Sequence, residues 1–205
     1  MSPEPQAPGS IALILASASP RRAELLRAAG LDFTVVPVAI DERPLDGETP
    51  PAYVERLARE KAQAAMRNES SSLVILAADT TVVIDGVLLG KPADAREATE
   101  MLSRLAGRTH EVMTGVAVVP ANRQIITAVD TTRVRFVEMT PDDIAWYVAS
   151  GEPFGKAGAY GIQGRASRFV DRVEGSYTNV VGLPIATVWR LLRAVEGLGP
   201  LEPGA

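Results

Sequence analysis

The chain has 205 residues, of which 46% are hydrophobic and 22% are charged, a composition typical of one folded domain. Lys and Arg number 21 against 25 Asp and Glu, so the net charge of −4 implies no general affinity for nucleic acid or an anionic membrane. The absence of cysteine and the single histidine, His110, exclude disulfides, thiolate nucleophiles, iron–sulfur clusters and His-rich zinc sites. A hydrolase built from this sequence would therefore rely on carboxylates and a hard metal ion.

The ends of the chain carry no targeting signal that we can identify. Residues 1–9 are rich in proline and lack the basic and apolar regions of an export signal, and no apolar run reaches the roughly 20 residues of a membrane helix. We predict a disordered leader over 1–9, a single folded domain over 10–196, a flexible tail over 197–205 and a cytoplasmic location.

The first half of the chain alternates short apolar runs with amphipathic segments. Residues 11–15 are typical of a buried strand, and Ser19 with Pro20 marks a helix start directly after it. The other predicted features are a helix end at Gly30, a strand over 33–36, and a helix from Thr49 to about Arg67.

The second half mixes helices with hairpins. A buried run over 73–77 is predicted to be broken by Asp79 and Thr80, and Asp85-Gly86 is the dipeptide of a type I′ hairpin turn. Helices and strands interleave but antiparallel pairs are present, so the fold class is α/β with a mixed central sheet flanked by helices. The further elements are strands over 81–84, 87–89, 112–119 and 125–137, and helices over 95–105 (capped by Asp94), 140–151 and 184–195.

The turn after the first predicted strand favours phosphate binding. Ser17, Ser19, Arg21 and Arg22 place two hydroxyls and two guanidiniums at a helix N-terminus, whose backbone N–H groups attract anions. The alternative is a Ser-Pro helix cap with arginines facing solvent. Cations in the first turn oppose the helix dipole by roughly 0.3–1 kcal/mol each, so capping leaves the two arginines unexplained.

Several acidic and basic residues could act on a phosphoester. Asp79 directly follows a buried run, where α/β proteins place ligands, and its carboxylate could bind a metal ion or accept a proton from water. A turn aspartate that hydrogen-bonds its own backbone is an equally good interpretation. Asp41 and Glu42 follow the second predicted strand and could act in the same way, although adjacent carboxylates in a loop are usually only solvated. Lys61 and Lys91 are functional only if they converge with the turn over 17–22, since isolated lysines are most often surface residues.

The segment 155–164 contains four glycines, which would let backbone approach a ligand closely. Its lysine precedes the glycines, so it is not a Walker loop. Tyr160 suits stacking on a base and Gln163 suits amide hydrogen bonds to one, although a plain flexible loop is the alternative. His110 lies between a glycine turn and a strand and is predicted to be structural. These residues together predict phosphoester chemistry on a small molecule.

Seven motifs, taken in order, resemble the Maf family of nucleoside triphosphate pyrophosphatases. They extend from Leu13 to about Leu192, and seven ordered matches are far more specific than any one of them. The motifs are LASASPRR at 15–22, DE at 41–42, EKA at 60–62, ADT at 78–80, GKP at 90–92, GKAGAYGIQG at 155–164 and GSYTNVVGLP at 175–184.

The resemblance implies a fold of two lobes with an active-site cleft between them. It also implies hydrolysis of a nucleoside triphosphate to the monophosphate and pyrophosphate with Mg²⁺ or Mn²⁺. Asp79 matches the family's proposed proton acceptor and would act on the attacking water alone or with Glu42, both serving as metal ligands. The further assignments are catalytic roles for Lys61 and Lys91 and phosphate binding by Ser17 and Arg22.

Three positions, Arg21, Thr80 and Gln163, match the branch of the family that prefers dTTP and UTP to methylated GTP. The amide of Gln163 offers a donor and an acceptor to a pyrimidine edge. The resemblance further implies action on modified pyrimidine nucleotides and a homodimer.

The alternative function is a non-catalytic, nucleotide-binding regulator of septum formation in dividing cells. A nucleic-acid-binding module is disfavoured by the charge of −4 and by the lack of a basic face interleaved with aromatic residues.

Overall fold

The computed structural model describes residues 13–68, 73–122 and 124–195, so the predicted leader and tail and residues 11 and 12 of the first predicted strand lie outside it. Within these ranges the strands are β1 (Leu13–Leu15), β2 (Phe33–Val35), β3 (Val74–Ile84), β4 (Val87–Leu89), β5 (Thr109–Val119), β6 (Ile126–Phe136) and β7 (Val170–Glu174). The helices are α1 (Pro20–Ala28), α2 (Pro50–Asn68), α3 (Ala95–Leu105), α4 (Pro141–Ala149), α5 (Tyr177–Val181) and α6 (Ile185–Val195), with 3₁₀ helices at Ala157–Ala159 and Arg165–Phe169.

The described strands form one mixed sheet in the order β2-β1-β3-β5-β6-β7, and β4 pairs with β3 outside this path. β1 runs parallel to both β2 and β3, whereas β3, β5, β6 and β7 pair antiparallel. This confirms the predicted α/β class with a mixed central sheet. No helix among the described residues is both long enough and apolar enough to cross a membrane.

β3 corrects one prediction: it runs without a break through Asp79 and Thr80. The strand continues because both residues have partners on β5, with Asp79 opposite Gly115 and Thr80 opposite Thr114. β1, by contrast, ends opposite Leu76, three residues before Asp79. The polar pair therefore lies in mid-strand, next to the edge that opens where β1 stops.

One face of the sheet is covered by α2. Ala58, Ala62 and Ala65 are fully buried against β1, β3 and β5. The helix comes unusually close at Gly115, where a Cβ atom would lie 2.1 Å from the carbonyl oxygen of Val54. Glycine at this position thus sets the distance between α2 and the strand residues opposite, including Asp79.

The opposite face carries two hydrophobic clusters. Leu76 and Ala78 at the start of β3 pack with α1 and α6, and Val82 and Ile84 at its end pack with α3 and α4. The two clusters are packed mainly by different helices, and Leu25 of α1 contacts both. Thr80 is the β3 residue on this face between the two clusters, because side chains alternate along a strand.

Two local predictions are confirmed by backbone geometry. Asp85 and Gly86 both have positive φ angles, 53° and 75°, as a type I′ turn requires. Asp94 accepts a hydrogen bond from the backbone N–H of Glu97 and so caps α3. Short-range sequence signals were sufficient at both places.

His110, which was predicted to be structural and to precede a strand, lies within β5 and is buried in the core. It is 2% exposed, and its Nε2 atom lies 2.8 Å from the hydroxyl of Tyr160. The rings of Phe136 and Tyr160 meet the imidazole edge to face. Burial lowers the pKa of His110 from 6.5 to about 4, so the imidazole is neutral at neutral pH.

We expect His110 to make the protein less stable in mild acid. The folded state binds this proton less readily than the unfolded chain, so stability is fully present above pH 6.5 and falls as the pH drops toward 4. At pH 4.5 wild type should have lost roughly 2–3 kcal/mol more than His110→Gln, relative to neutral pH. Urea unfolding at pH 7.0 and 4.5 measures this difference. Parallel losses in the two proteins would contradict it.

Candidate active site

The turn between β1 and α1 is built around the hydroxyl of Ser17. This side chain is 8% exposed and accepts hydrogen bonds from the backbone N–H of Ser19, at 3.2 Å, and from Nη1 of Arg22, at 3.1 Å. Ser19 occupies the N-cap position of α1, but its own side chain makes no capping bond. The predicted turn is therefore present, with Ser17 rather than Ser19 as its hydrogen-bonding centre.

Arg22 is 8% exposed and is held mainly by the protein itself. Its Nε donates to the carbonyl of Gly182 at 2.8 Å, its Nη1 to that of Ala78 at 2.7 Å as well as to Ser17, and its Nη2 to the hydroxyl of Thr80 at 3.1 Å. Four of its five N–H donors are thus engaged. Arg22 ties together the turn after β1, the middle of β3 and the segment after α5, and it retains one donor for a ligand.

Lys61 joins the two predicted carboxylates. Its ammonium nitrogen lies 2.6 Å from Oδ1 of Asp79 and 2.6 Å from Oε1 of Glu42. The side chains of Lys61 and Asp79 are each 11% exposed, whereas that of Glu42 is 44% exposed. Both carboxylates reach the same nitrogen atom, so they point into one small volume.

Glu42 is held in place by α2. The hydroxyl of Tyr53 donates to the backbone carbonyl of Glu42 at 2.9 Å. Burial opposes ionisation of Glu42, but the hydrogen bond from Lys61 and the neighbouring cations lower its pKa below the ordinary value. Asp41 is instead exposed and paired with Arg43, so only one of the two adjacent acids faces Lys61.

Thr80 lies on the opposite face of β3 from Asp79. Its Oγ1 is 2.9 Å from Oγ1 of Thr114 and 3.2 Å from the carbonyl oxygen of Gly182, in addition to accepting from Arg22. Asp79 thus faces α2 and Lys61, and Thr80 faces the turn that holds Arg22. The middle of β3 supplies both halves of the site.

Lys91 and Arg21 are the less constrained cations of the predicted set. Lys91 is exposed, and its charge helps to lower the pKa of Glu42. Arg21 is partly buried, and its Nε donates to the carbonyl of Val181 at 3.3 Å. Burial and then the charge of Arg21 lower the pKa of Lys156 in the glycine segment, so these two cations lie close together.

The glycine segment is anchored beside Lys91, because the N–H of Gly158 donates to the carbonyl of Gly90 at 3.0 Å. Tyr160 contradicts its predicted role. Its ring is 6% exposed and packs in the core against His110, so it cannot stack on a base. Gln163 is exposed and, within the described ranges, makes no hydrogen bond to the other predicted site residues.

The donor set suits Mg²⁺ held together with a substrate. No group of three or more His, Asp or Glu side chains within the described ranges could hold a metal ion alone. Mg²⁺ usually takes one or two carboxylates and completes its shell with water and substrate phosphates. Asp79 and Glu42 provide that pair. Mn²⁺ prefers the same oxygen ligands.

Three contributing residues were not identified from the sequence. Thr114 supports Thr80 from within β5, and Tyr53 holds Glu42 through its backbone. The carbonyl of Gly182 accepts from both Arg22 and Thr80. Gly182 lies in the GSYTNVVGLP motif, but Thr114 and Tyr53 look like ordinary strand and helix residues.

A mixed α/β fold that gathers cations, hydroxyls and two carboxylates beside the end of β1 is typical of α/β proteins that bind phosphate-containing ligands. The sequence profile described as Maf-like protein matches residues 12–195, and the chain belongs to the Maf family.

A dTTP/UTP pyrophosphatase of Myxococcus xanthus is 53% identical over 88% of this chain and 90% of its own. Another dTTP/UTP pyrophosphatase, of Koribacter versatilis, is 51% identical over 88% and 93%. Among solved structures, a HAM1 protein of Coxiella burnetii aligns with a TM-score of 0.48 at 16% identity, over 90% of this chain and 99% of that one.

Proposed function

We propose that this protein is a pyrophosphatase that converts dTTP and UTP to the nucleoside monophosphate and pyrophosphate. The observation that carries the proposal is the convergence of Asp79 and Glu42 on Lys61, beside the β3 residues that hold Arg22. The two relatives named as dTTP/UTP pyrophosphatases support the same reaction.

In the proposed reaction, Asp79 accepts a proton from the attacking water as the water oxygen bonds to the α-phosphorus. The bond from that phosphorus to the bridging oxygen breaks, and pyrophosphate leaves with the electron pair. Lys61 holds both carboxylates in position and favours the ionised form of Glu42. A divalent ion held by Asp79 and Glu42 would neutralise charge on the phosphate oxygens when bound.

The remaining predicted residues bind the substrate in this proposal. Ser17, the free donor of Arg22 and Lys91 contact phosphate oxygens. From the family resemblance, Arg21, Thr80 and Gln163 favour a pyrimidine nucleotide, and the amide of Gln163 offers a donor and an acceptor to the base. From the family resemblance we also propose a homodimer, which sedimentation of the purified protein tests.

The substrate is tested by measuring kcat/KM for dTTP, UTP, CTP, ATP and methylated GTP with Mg²⁺ or Mn²⁺. We expect dTTP and UTP to be preferred. Preference for methylated GTP would contradict the roles of Arg21, Thr80 and Gln163. Tight nucleotide binding without pyrophosphate release would instead favour the non-catalytic regulator of septum formation.

The bond that breaks is tested by running the reaction in ¹⁸O-labelled water. Attack at the α-phosphorus places the label in dTMP, and this is the expected result. Label in pyrophosphate would place the attack at the β-phosphorus. Release of inorganic phosphate and dTDP would contradict the pyrophosphatase reaction altogether.

A further inference from the structure

Thr114 is a fully buried residue of β5 with no predicted role. It has no exposed surface, and it pairs with Thr80 across the sheet. The two hydroxyl oxygens are 2.9 Å apart. A buried hydroxyl is costly unless it is hydrogen-bonded, and the hydroxyl of Thr80 is the partner of this one.

The contacts of Thr80 fix the direction of this hydrogen bond. A hydroxyl has one proton to donate and two acceptor positions. Thr80 donates its proton to the carbonyl of Gly182 at 3.2 Å and accepts one bond from Arg22. The position that is left on Thr80 is an acceptor, so Thr114 is the donor.

This arrangement links Thr114 to the ligand-binding capacity of Arg22. The hydroxyl of Thr80 is the acceptor for one of the two Nη2 protons, and the guanidinium's other engaged donors are on Nε and Nη1. The second Nη2 proton is the one available to a ligand. The direction of this N–H depends on the position of Nη2, which is fixed by its hydrogen bond to Thr80. The hydrogen bond from Thr114 in turn fixes the hydroxyl of Thr80.

We propose that Thr114 is a positioning residue that, through Thr80, aims the free N–H of Arg22 at a phosphate group of the substrate. The inference rests on the proposed function, which supplies the phosphate ligand. Thr114 is too buried to touch the substrate itself. Because it acts through a phosphate-binding N–H of Arg22, its effect is on substrate binding and not on the cleavage step.

The test compares Thr114→Val, which keeps the shape and removes the hydroxyl, with Thr114→Ser, which keeps the hydroxyl. We expect Thr114→Val to raise both the KM for dTTP and the Kd for pyrophosphate about tenfold, with little change in kcat, because a lost ground-state contact appears in KM. Thr114→Ser should restore both values. Calorimetry gives the Kd, and circular dichroism confirms that each variant is folded.

Thr132→Val is the matched control. Thr132 is also fully buried, on β6, and its hydroxyl accepts from the N–H of Ser176 and from Nδ2 of Asn179 rather than bonding to Thr80 or Arg22. The control should lose stability but keep the wild-type KM and Kd. If Thr132→Val raises KM equally, or Thr114→Ser fails to restore it, the effect is general loosening and the proposal is wrong.

A double mutant tests whether Thr114 acts through Thr80. In a Thr80→Val background, Thr114→Val should add almost no further increase in KM or in the Kd for pyrophosphate. Additive effects would overturn the proposal, as would wild-type values for folded Thr114→Val. A wild-type protein that hydrolyses no nucleotide contradicts the proposed function instead, and the pyrophosphate Kd then still decides the role of Thr114.

Discussion

Replacing Asp79 with Asn is expected to lower kcat for pyrophosphate release from dTTP roughly 10³-fold, within the range typical for loss of a general base. The amide cannot accept the water proton and is a poor ligand for a divalent ion. Lys61 keeps its contact with Glu42, so the fold should persist. Single-turnover measurements on the folded variant test this, because they separate the chemical step from substrate binding and product release.

Asp85→Asn is the control for this substitution. Asp85 is also paired with a cation, Arg108 at 2.6 Å, but it lies in the hairpin turn after β3. Its loss should leave kcat unchanged. If Asp79→Asn retains more than about a tenth of wild-type kcat, Asp79 is not the proton acceptor. Glu42→Gln then tests the other carboxylate.

The sequence was most informative where a few consecutive residues determine the structure. The apolar run before Ser17, the proline at the start of α1 and the Asp85-Gly86 turn each specify their conformation locally. Helix α2 was also predictable, because its buried alanines recur at helical spacing. These elements account for the fold class and for the position of the turn that contains Arg22.

The sequence was least informative where contacts depend on strand register. Asp79 and Thr80 looked like the end of a strand, because polar residues after an apolar run usually mark one. Their partners, Gly115 and Thr114, are more than thirty positions away, and only the pairing of β3 with β5 shows that the strand continues. The same is true of Lys61, which lies 18 positions from Asp79 on a different element.

Tertiary contacts explain in part why Arg22 is tolerated in the first turn of α1. A cation in the first turn of a helix opposes the helix dipole, and the sequence offered phosphate as the compensation. The structure supplies a further compensation, since three of the donors of Arg22 bind carbonyl groups or a hydroxyl up to 160 positions away. Arg22 is therefore a structural link between segments as well as a candidate phosphate ligand.

The second large effect is expected for Lys61→Met. The substitution leaves Asp79 and Glu42 as like charges that face each other, and Asp79 is largely buried. Breaking a buried ion pair from one side typically costs 3–5 kcal/mol. Because Glu42 is partly solvated, we expect a loss of roughly 3 kcal/mol in the free energy of unfolding when EDTA removes divalent ions, together with at least a 10²-fold fall in kcat.

A divalent ion should reverse much of the stability loss of Lys61→Met, because it can take the place of the ammonium between the two carboxylates. The free energy of unfolding should therefore rise more on addition of Mg²⁺ in this variant than in wild type, where Lys61 already neutralises the pair. Lys91→Met is the control for stability, since Lys91 is exposed and forms no ion pair within the described ranges. A Lys61→Met protein as stable as wild type in EDTA would show that the two carboxylates do not repel each other. A destabilised variant that Mg²⁺ does not restore would show that they do not form a shared metal site.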